Sequence, residues 1–108
     1  MKYSVQYSRA AILDLERVWS EVFEASRDYD TTEKCIDGLM EKIEDKALFP
    51  ESGSPLYYED GFTGYYFVVF KSYLAFYRVE KKELLVERIL IGRSDYMRIL
   101  HLSPEENT

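Results

Sequence analysis

The sequence predicts a small α+β domain of order β-α-α-β-β-β, with a helical hairpin packed on one face of a small, mainly antiparallel sheet. Three observations predict it. Residues 3–7 alternate Tyr, Val and Tyr with polar residues, the period of a half-buried strand. Two stretches of helical periodicity follow within the first 50 residues. Three strand-like runs, joined by links of two or three residues, then occupy 65–91, and links that short make antiparallel neighbours. Helices grouped before a meander give a segregated two-layer arrangement in which one sheet face is covered and the other is left to water or a partner.

The first strand is expected over Tyr3–Tyr7. Ser8 is the expected N-cap of a helix running to about Ser26, with Ile12, Leu15, Trp19 and Val22 as its apolar stripe and Val18 and Phe23 widening it. Asp14, Glu16, Arg17, Glu21 and Glu24 are expected on its solvated face. Asp30-Thr31-Thr32-Glu33 has the form of a capping box that opens a second helix. Ile36, Leu39, Met40, Ile43 and Ala47 form its stripe, and Pro50 stops it. From Phe49 to Gly64 the composition is that of turns and loop. The last three strands are expected at Tyr65–Phe70, Tyr73–Glu80 and Leu84–Ile91, followed by a turn at Gly92-Arg93-Ser94-Asp95 and a helical turn within Tyr96–Leu102. Residues 1–102 read as one domain and 103–108 as a polar, disordered tail. Along Tyr73–Glu80 the odd positions Tyr73, Ala75, Tyr77 and Val79 are the core-facing set, which puts Leu74, Phe76 and Arg78 on the open face.

Composition narrows the function. With 108 residues, 46% hydrophobic and 16% aromatic, the chain can fill one core without staples. Cys35 is the only cysteine and His101 the only histidine, so neither a disulfide nor a Cys/His metal centre is expected, and no cofactor is implied. No window approaches the roughly 18 apolar residues of a spanning helix, and the N-terminus lacks a signal-peptide core; a cytoplasmic protein is expected. A formal charge of −6 argues against a chain that clamps nucleic acid over its surface or reads DNA sequence by itself. The charge is unevenly spread. Residues 1–64 carry seven Lys/Arg against fourteen Asp/Glu, net −7, whereas residues 65–101 carry seven against four, net +3.

Three phrases, Phe49-Pro50-Glu51-Ser52-Gly53, Tyr73 to Val79 (Tyr-Leu-Ala-Phe-Tyr-Arg-Val) and Arg88 to Tyr96, stand in order at family-like intervals, and the chain from residue 2 to about 101 resembles the RelE/ParE toxin superfamily, closer to its ParE-like members. The resemblance implies the toxin of a type II toxin–antitoxin module, of the plasmid-stabilisation or addiction kind, neutralised by a cognate antitoxin. It implies one of two targets. ParE-like members poison DNA gyrase; RelE-like members are metal-independent endonucleases that cut mRNA in the ribosome. A toxin homologue that has lost activity and only binds antitoxin is a third reading.

RNA cleavage by 2′-hydroxyl attack needs proton acceptor and donor groups and cations for the phosphorane. The superfamily's nucleases place paired lysines on the strand corresponding to Tyr66–Phe70, where this chain has no cation before Lys71, and an arginine at the position of Leu74. Their arginine after the last strand aligns with Ser94, or with Arg93 if the turn shifts by one. Little of the nuclease pattern is present at Phe67, Val69 and Leu74, so an inhibitor of a protein such as gyrase is the leading expectation. A displaced catalytic set would be Lys71, Arg78, Arg93 and either Tyr96 or His101. Arg78, Arg88, Arg93 and Arg98 are the candidates for contact with the target, and Tyr66, Leu74 and Phe76 for contact with the antitoxin, because an apolar face with a basic rim suits a protein partner. Each candidate has a plainer reading. Arg88 could be a structural ion pair among acids such as Glu80 and Glu87; Tyr96 is one of ten tyrosines; Trp19 and Cys35 read as packing; and Tyr65, Tyr66 and Phe67 read as sheet packing or antitoxin contact rather than base stacking.

Overall fold

The structure, a computed structural model, describes residues 2–102; the expected tail at 103–108 lies outside the described residues. The chain runs β1 (Ser4–Tyr7), α1 (Arg9–Ser26), α2 (Tyr29–Glu44), a 3-10 turn (Pro50–Ser52), β2 (Ser54–Tyr58), β3 (Gly61–Phe70), β4 (Tyr73–Glu80), β5 (Glu83–Ile91) and a short α3 (Tyr96–Ile99). One sheet of order β1-β5-β4-β3-β2 carries the helical hairpin, with β1 parallel to β5 and every other pair antiparallel. The predicted α+β class and the hairpin on a mainly antiparallel sheet are therefore what the structure has.

It adds a strand. Residues 54–58, expected as loop, form the edge strand β2, paired with β3, and β3 begins at Gly61 rather than Tyr65. Pro55 hid this, since proline removes a ladder donor, but an edge strand has one side with no ladder to lose. The hairpin turn is Glu59-Asp60, with Glu59 in the left-handed region at φ 56°, as a two-residue hairpin requires.

Ser8 caps α1 as predicted, its Oγ accepting from the Ala11 amide at 3.0 Å. The second helix starts earlier than the Asp30 box. Arg27 turns left-handed at φ 53° and ends α1, its N–H donating to the Phe23 carbonyl. Asp28 then caps α2, accepting from the Thr31 amide at 2.9 Å. Asp30 falls inside the first turn, paired with Lys34 at 3.0 Å. The joint is too short to delay the cap by two residues.

The principal core lies between the hairpin and the sheet, built from Ala11, Val18, Leu39, Ile43, Val68, Tyr73, Ala75, Tyr77, Leu84, Val86 and Ile89. The odd positions of β4 face it, as predicted. The stripe of α1 is rotated from expectation: Ala11, Asp14 and Val18 are the buried positions, and Ile12 is half exposed. Trp19 is only half-buried, stacked on Phe23 with Tyr29 beside it. A second cluster fills the opposite sheet face, with Leu56, Phe76, Leu90 and Leu100 buried and Phe67, Leu74, Tyr96, Ile99 and Leu102 against them. That face was expected to be open. The segment after β5 folds back over it, and Phe76 is fully buried.

Candidate functional site

The expected site residues divide by what the fold does with them. Arg88 belongs to a clamp. β1 pairs with β5 only as far as Tyr7 opposite Val86, which leaves the next stretch of β5 without a strand on that edge. Helix α1 supplies the missing partners. The Ser8 amide donates to the Val86 carbonyl and its hydroxyl to the Glu87 carbonyl. The Asp14 carboxylate accepts from the Ile89 amide at 2.9 Å, and Arg17 donates to the Ile89 carbonyl at 3.2 Å. A register shift in the β4–β5 ladder, between Phe76 and Tyr77, falls beside Arg88, which reaches the same carboxylate with two donors at 2.8 and 3.0 Å. Burial pushes the Asp14 pKa up, but hydrogen bonds from Arg88, Ile89 and Arg17 outweigh it and hold the carboxyl below its ordinary value. Arg88 pairs with Asp14, not with the Glu80 or Glu87 considered from sequence. Asp14, expected on the solvated face, is the best-connected carboxylate among the described residues.

Arg78 is tied to Glu87 at 2.9 Å and leans over the Tyr65 ring, 5.9 Å from its centroid. Arg98 pairs with Asp95 at 3.3 Å on α3. Tyr96 packs its ring on Phe76 at 5.2 Å, and His101 is exposed just past α3. Lys71 and Arg93 differ from these: neither is in an ion pair among the described residues, and both line a cleft of about 330 Å³ with Val69, Leu74 and Ile91. The two turns bearing them are joined by the Gly92 amide donating to the Ser72 carbonyl at 2.7 Å. Arg78 stands toward the other end of β4, about 17 Å from Tyr73 at the strand rise. The structure thus brings Lys71 and Arg93 together and leaves Arg78 apart from them.

The three residues expected on one open apolar face do not share one. Tyr66 stands opposite Tyr77 and stacks on it at 5.6 Å, on the hairpin side. Phe76 is buried on the other side and Leu74 is partly covered there. What stays exposed on that second face beside the cations is Val69, 52% accessible. Among the described residues no group of His, Cys, Asp and Glu could hold a metal ion, and no helix is long and apolar enough to cross a membrane. Sequence reasoning missed Asp14, although Ala11, Asp14 and Val18 recur at spacings of three and four, which is the signal of a carboxylate on an apolar stripe.

A helical hairpin on a sheet of this order and connectivity is the fold of the RelE/ParE superfamily of type II toxins, and solved structures show the likeness. The chromosomal ParDE toxin–antitoxin system from P. aeruginosa superposes with a TM-score of 0.68 at 18% identity, covering 83% of this chain and 96% of that one. The RelBE2 toxin–antitoxin complex from Mycobacterium tuberculosis gives 0.55 at 18% identity over 84% and 99%. YafQ from E. coli gives 0.51 at 16% identity over 83% and 93%. No curated protein matches the chain. Residues 5–96 match the ParE toxin of type II toxin–antitoxin system, parDE. The chain belongs to the ParE toxin family.

Proposed function

We propose that this toxin acts by binding a cytoplasmic protein, DNA gyrase first among the candidates, and that a cognate antitoxin neutralises it. The observation that carries this reading is the chemistry of the central strands on the second sheet face. Phe67, Leu74 and Phe76 are packing groups there, Tyr96 is packed on Phe76, and the cations stand at the margins. A phosphorane needs cations at the centre of such a face; a protein partner is served by an apolar patch with a charged rim. Arg93 and Lys71 flanking Val69 are the proposed target contact, with Arg78 and Arg98 at the periphery and Arg88 supporting the fold beneath. Leu74 and Tyr66 remain proposed antitoxin contacts, on opposite faces, which requires an antitoxin that wraps the sheet edge.

The pairing of Lys71 with Arg93 in one cleft favours a second reading, a metal-independent mRNA endonuclease that uses those two cations. Expression of the chain without antitoxin separates the two. Under the first reading purified gyrase loses supercoiling activity in the toxin's presence, and cells filament with DNA-damage signalling while translation continues. Prompt arrest of translation with cut mRNA supports the second reading and refutes the first. A chain without toxicity is a homologue that only binds antitoxin. Arg93→Ala is expected to relieve toxicity without unfolding the protein.

A further inference from the structure

The hairpin leaves part of its own sheet face uncovered. α2 ends at Glu44, and the chain beyond it turns Leu48 and Phe49 outward, 56% and 74% accessible. Past that end, rings run across three strands on the same face. Tyr57 meets Phe62 at 5.8 Å, Phe62 meets Tyr66 at 5.2 Å, and Tyr66 stacks on Tyr77 at 5.6 Å. Tyr57 and Phe62 are about half exposed. Beside this run lies a cleft of about 360 Å³ lined by Phe49, Val79 and Glu51 among others. Glu51 is fixed there by the 3-10 turn, whose Pro50 carbonyl accepts from the Tyr77 hydroxyl. An exposed carboxylate therefore lines this cleft with Phe49, and it holds no ion pair among the described residues. Its proximity to Tyr66 is also felt electrostatically: burial first, then Glu51, pushes the Tyr66 hydroxyl pKa up.

An apolar strip of exposed aromatic rings with an unpaired acid in the cleft beside it has the chemistry that receives a guanidinium, by carboxylate pairing and by stacking on the rings. We propose that this strip docks an arginine-bearing apolar segment of a partner protein, with Glu51 taking the arginine. Charge sets the occupant. The turns at 59–60 and 80–83, which the antiparallel topology places at this same end of the sheet, carry four carboxylates against two lysines. A second copy would set Glu51 against an equally acidic surface, and a nucleic acid would meet the acidic part of the chain. The surface is distinct from the cleft of Lys71 and Arg93, which lies at the opposite end of the sheet and suits a partner of the opposite sign.

The test uses the full chain labelled with ¹⁵N, and as probes an amphipathic peptide of leucine and arginine and the same peptide with glutamate for arginine. The arginine peptide is expected to shift amides of residues 49–51 and 57–66 saturably. Glu51→Gln should weaken that binding roughly fivefold and Phe62→Ser roughly tenfold. Glu33→Gln, an exposed acid on α2, serves as the charge control and should change nothing. Equal binding of the glutamate peptide, shifts centred outside the strip, equal weakening by Glu33→Gln, or no saturable shift up to about 1 mM peptide would each overturn the proposal. So would concentration-dependent shifts of these amides without peptide, which mean self-association. The strip includes Tyr66, so the proposal rests on the antitoxin contact read there; toxicity, gyrase inhibition and neutralisation by the antitoxin are measured separately on the full chain, so failure here leaves those readings untouched.

Discussion

Asp14→Ala is the substitution that most directly tests how this fold is held. The Asp14 side chain is 2% accessible and accepts from Arg88, Arg17 and the Ile89 amide at 2.8 to 3.0 Å. Removing one partner of a buried ion pair costs about 3–5 kcal/mol, because the other charge is left uncompensated. Here the stranded guanidiniums are partly wet, Arg88 at 29% and Arg17 at 46% accessible, which argues for the low end of that range. The Ile89 amide, left without its acceptor, adds about 1 kcal/mol. The expected loss is about 4 kcal/mol, measured as a lower urea midpoint at unchanged slope. Asp14→Asn keeps an acceptor for the Ile89 amide and should lose about half as much. The pH dependence supplies an independent check. A carboxyl held below its ordinary pKa contributes stability that is fully present above the unfolded value, about 3.9, and is lost as pH falls through the lower folded value. The wild type should therefore shed this contribution below about pH 4, and Asp14→Asn should lack that component. A loss under 1 kcal/mol for Asp14→Ala, or the same acid profile in both proteins, would refute the clamp.

Other outcomes follow from the two cores. Leu100→Ala should cost about 2–3 kcal/mol, because Leu100 closes the second cluster over Phe76 and Leu90; intrinsic ring fluorescence and urea melts read it. Gly53→Ala should cost about 2 kcal/mol, since an added Cβ runs into the Tyr77 ring and hydroxyl. Tyr77→Phe, which leaves the buried Pro50 carbonyl without that donor, should cost about 1–2 kcal/mol by the same melts. Tyr7, Tyr73 and Tyr77 have hydroxyls pushed up to about 12, burial being the largest cause in each. Their raised folded pKa contributes stability present below the unfolded value of about 10 and lost as pH rises through about 12. An ultraviolet titration should show these three ionising well after the exposed tyrosines, and a single transition near pH 10 would contradict it.

Much of this molecule was legible along the chain. The caps, the helix periods and the alternation of β4 are local properties, and Ser8, the α2 stripe at Leu39 and Ile43, and the inward Tyr73, Ala75 and Tyr77 stand where the pattern puts them. β2 was not legible, because Pro55 and its serine and glycine neighbours write a loop, and only pairing with an already formed β3 makes a strand of them. The cation set was legible as a list but not as a site: Arg78, Arg88 and Arg98 look alike in sequence, and only distance shows each committed to a carboxylate while Lys71 and Arg93 share a cleft.

By itself the sequence determined the order of elements apart from the edge strand β2, the division into an acidic first part and a basic last part, and the absence of cations at Phe67, Val69 and Leu74. These are properties of single positions and short repeats, read without knowing what lies across from them. The tertiary structure alone decided that Asp14 is buried under two arginines, that α3 closes the face on which Phe76 lies, and that Tyr66 points the other way. Periodicity states which residues share a side; what covers that side depends on contacts between segments up to 79 residues apart, which no local pattern encodes.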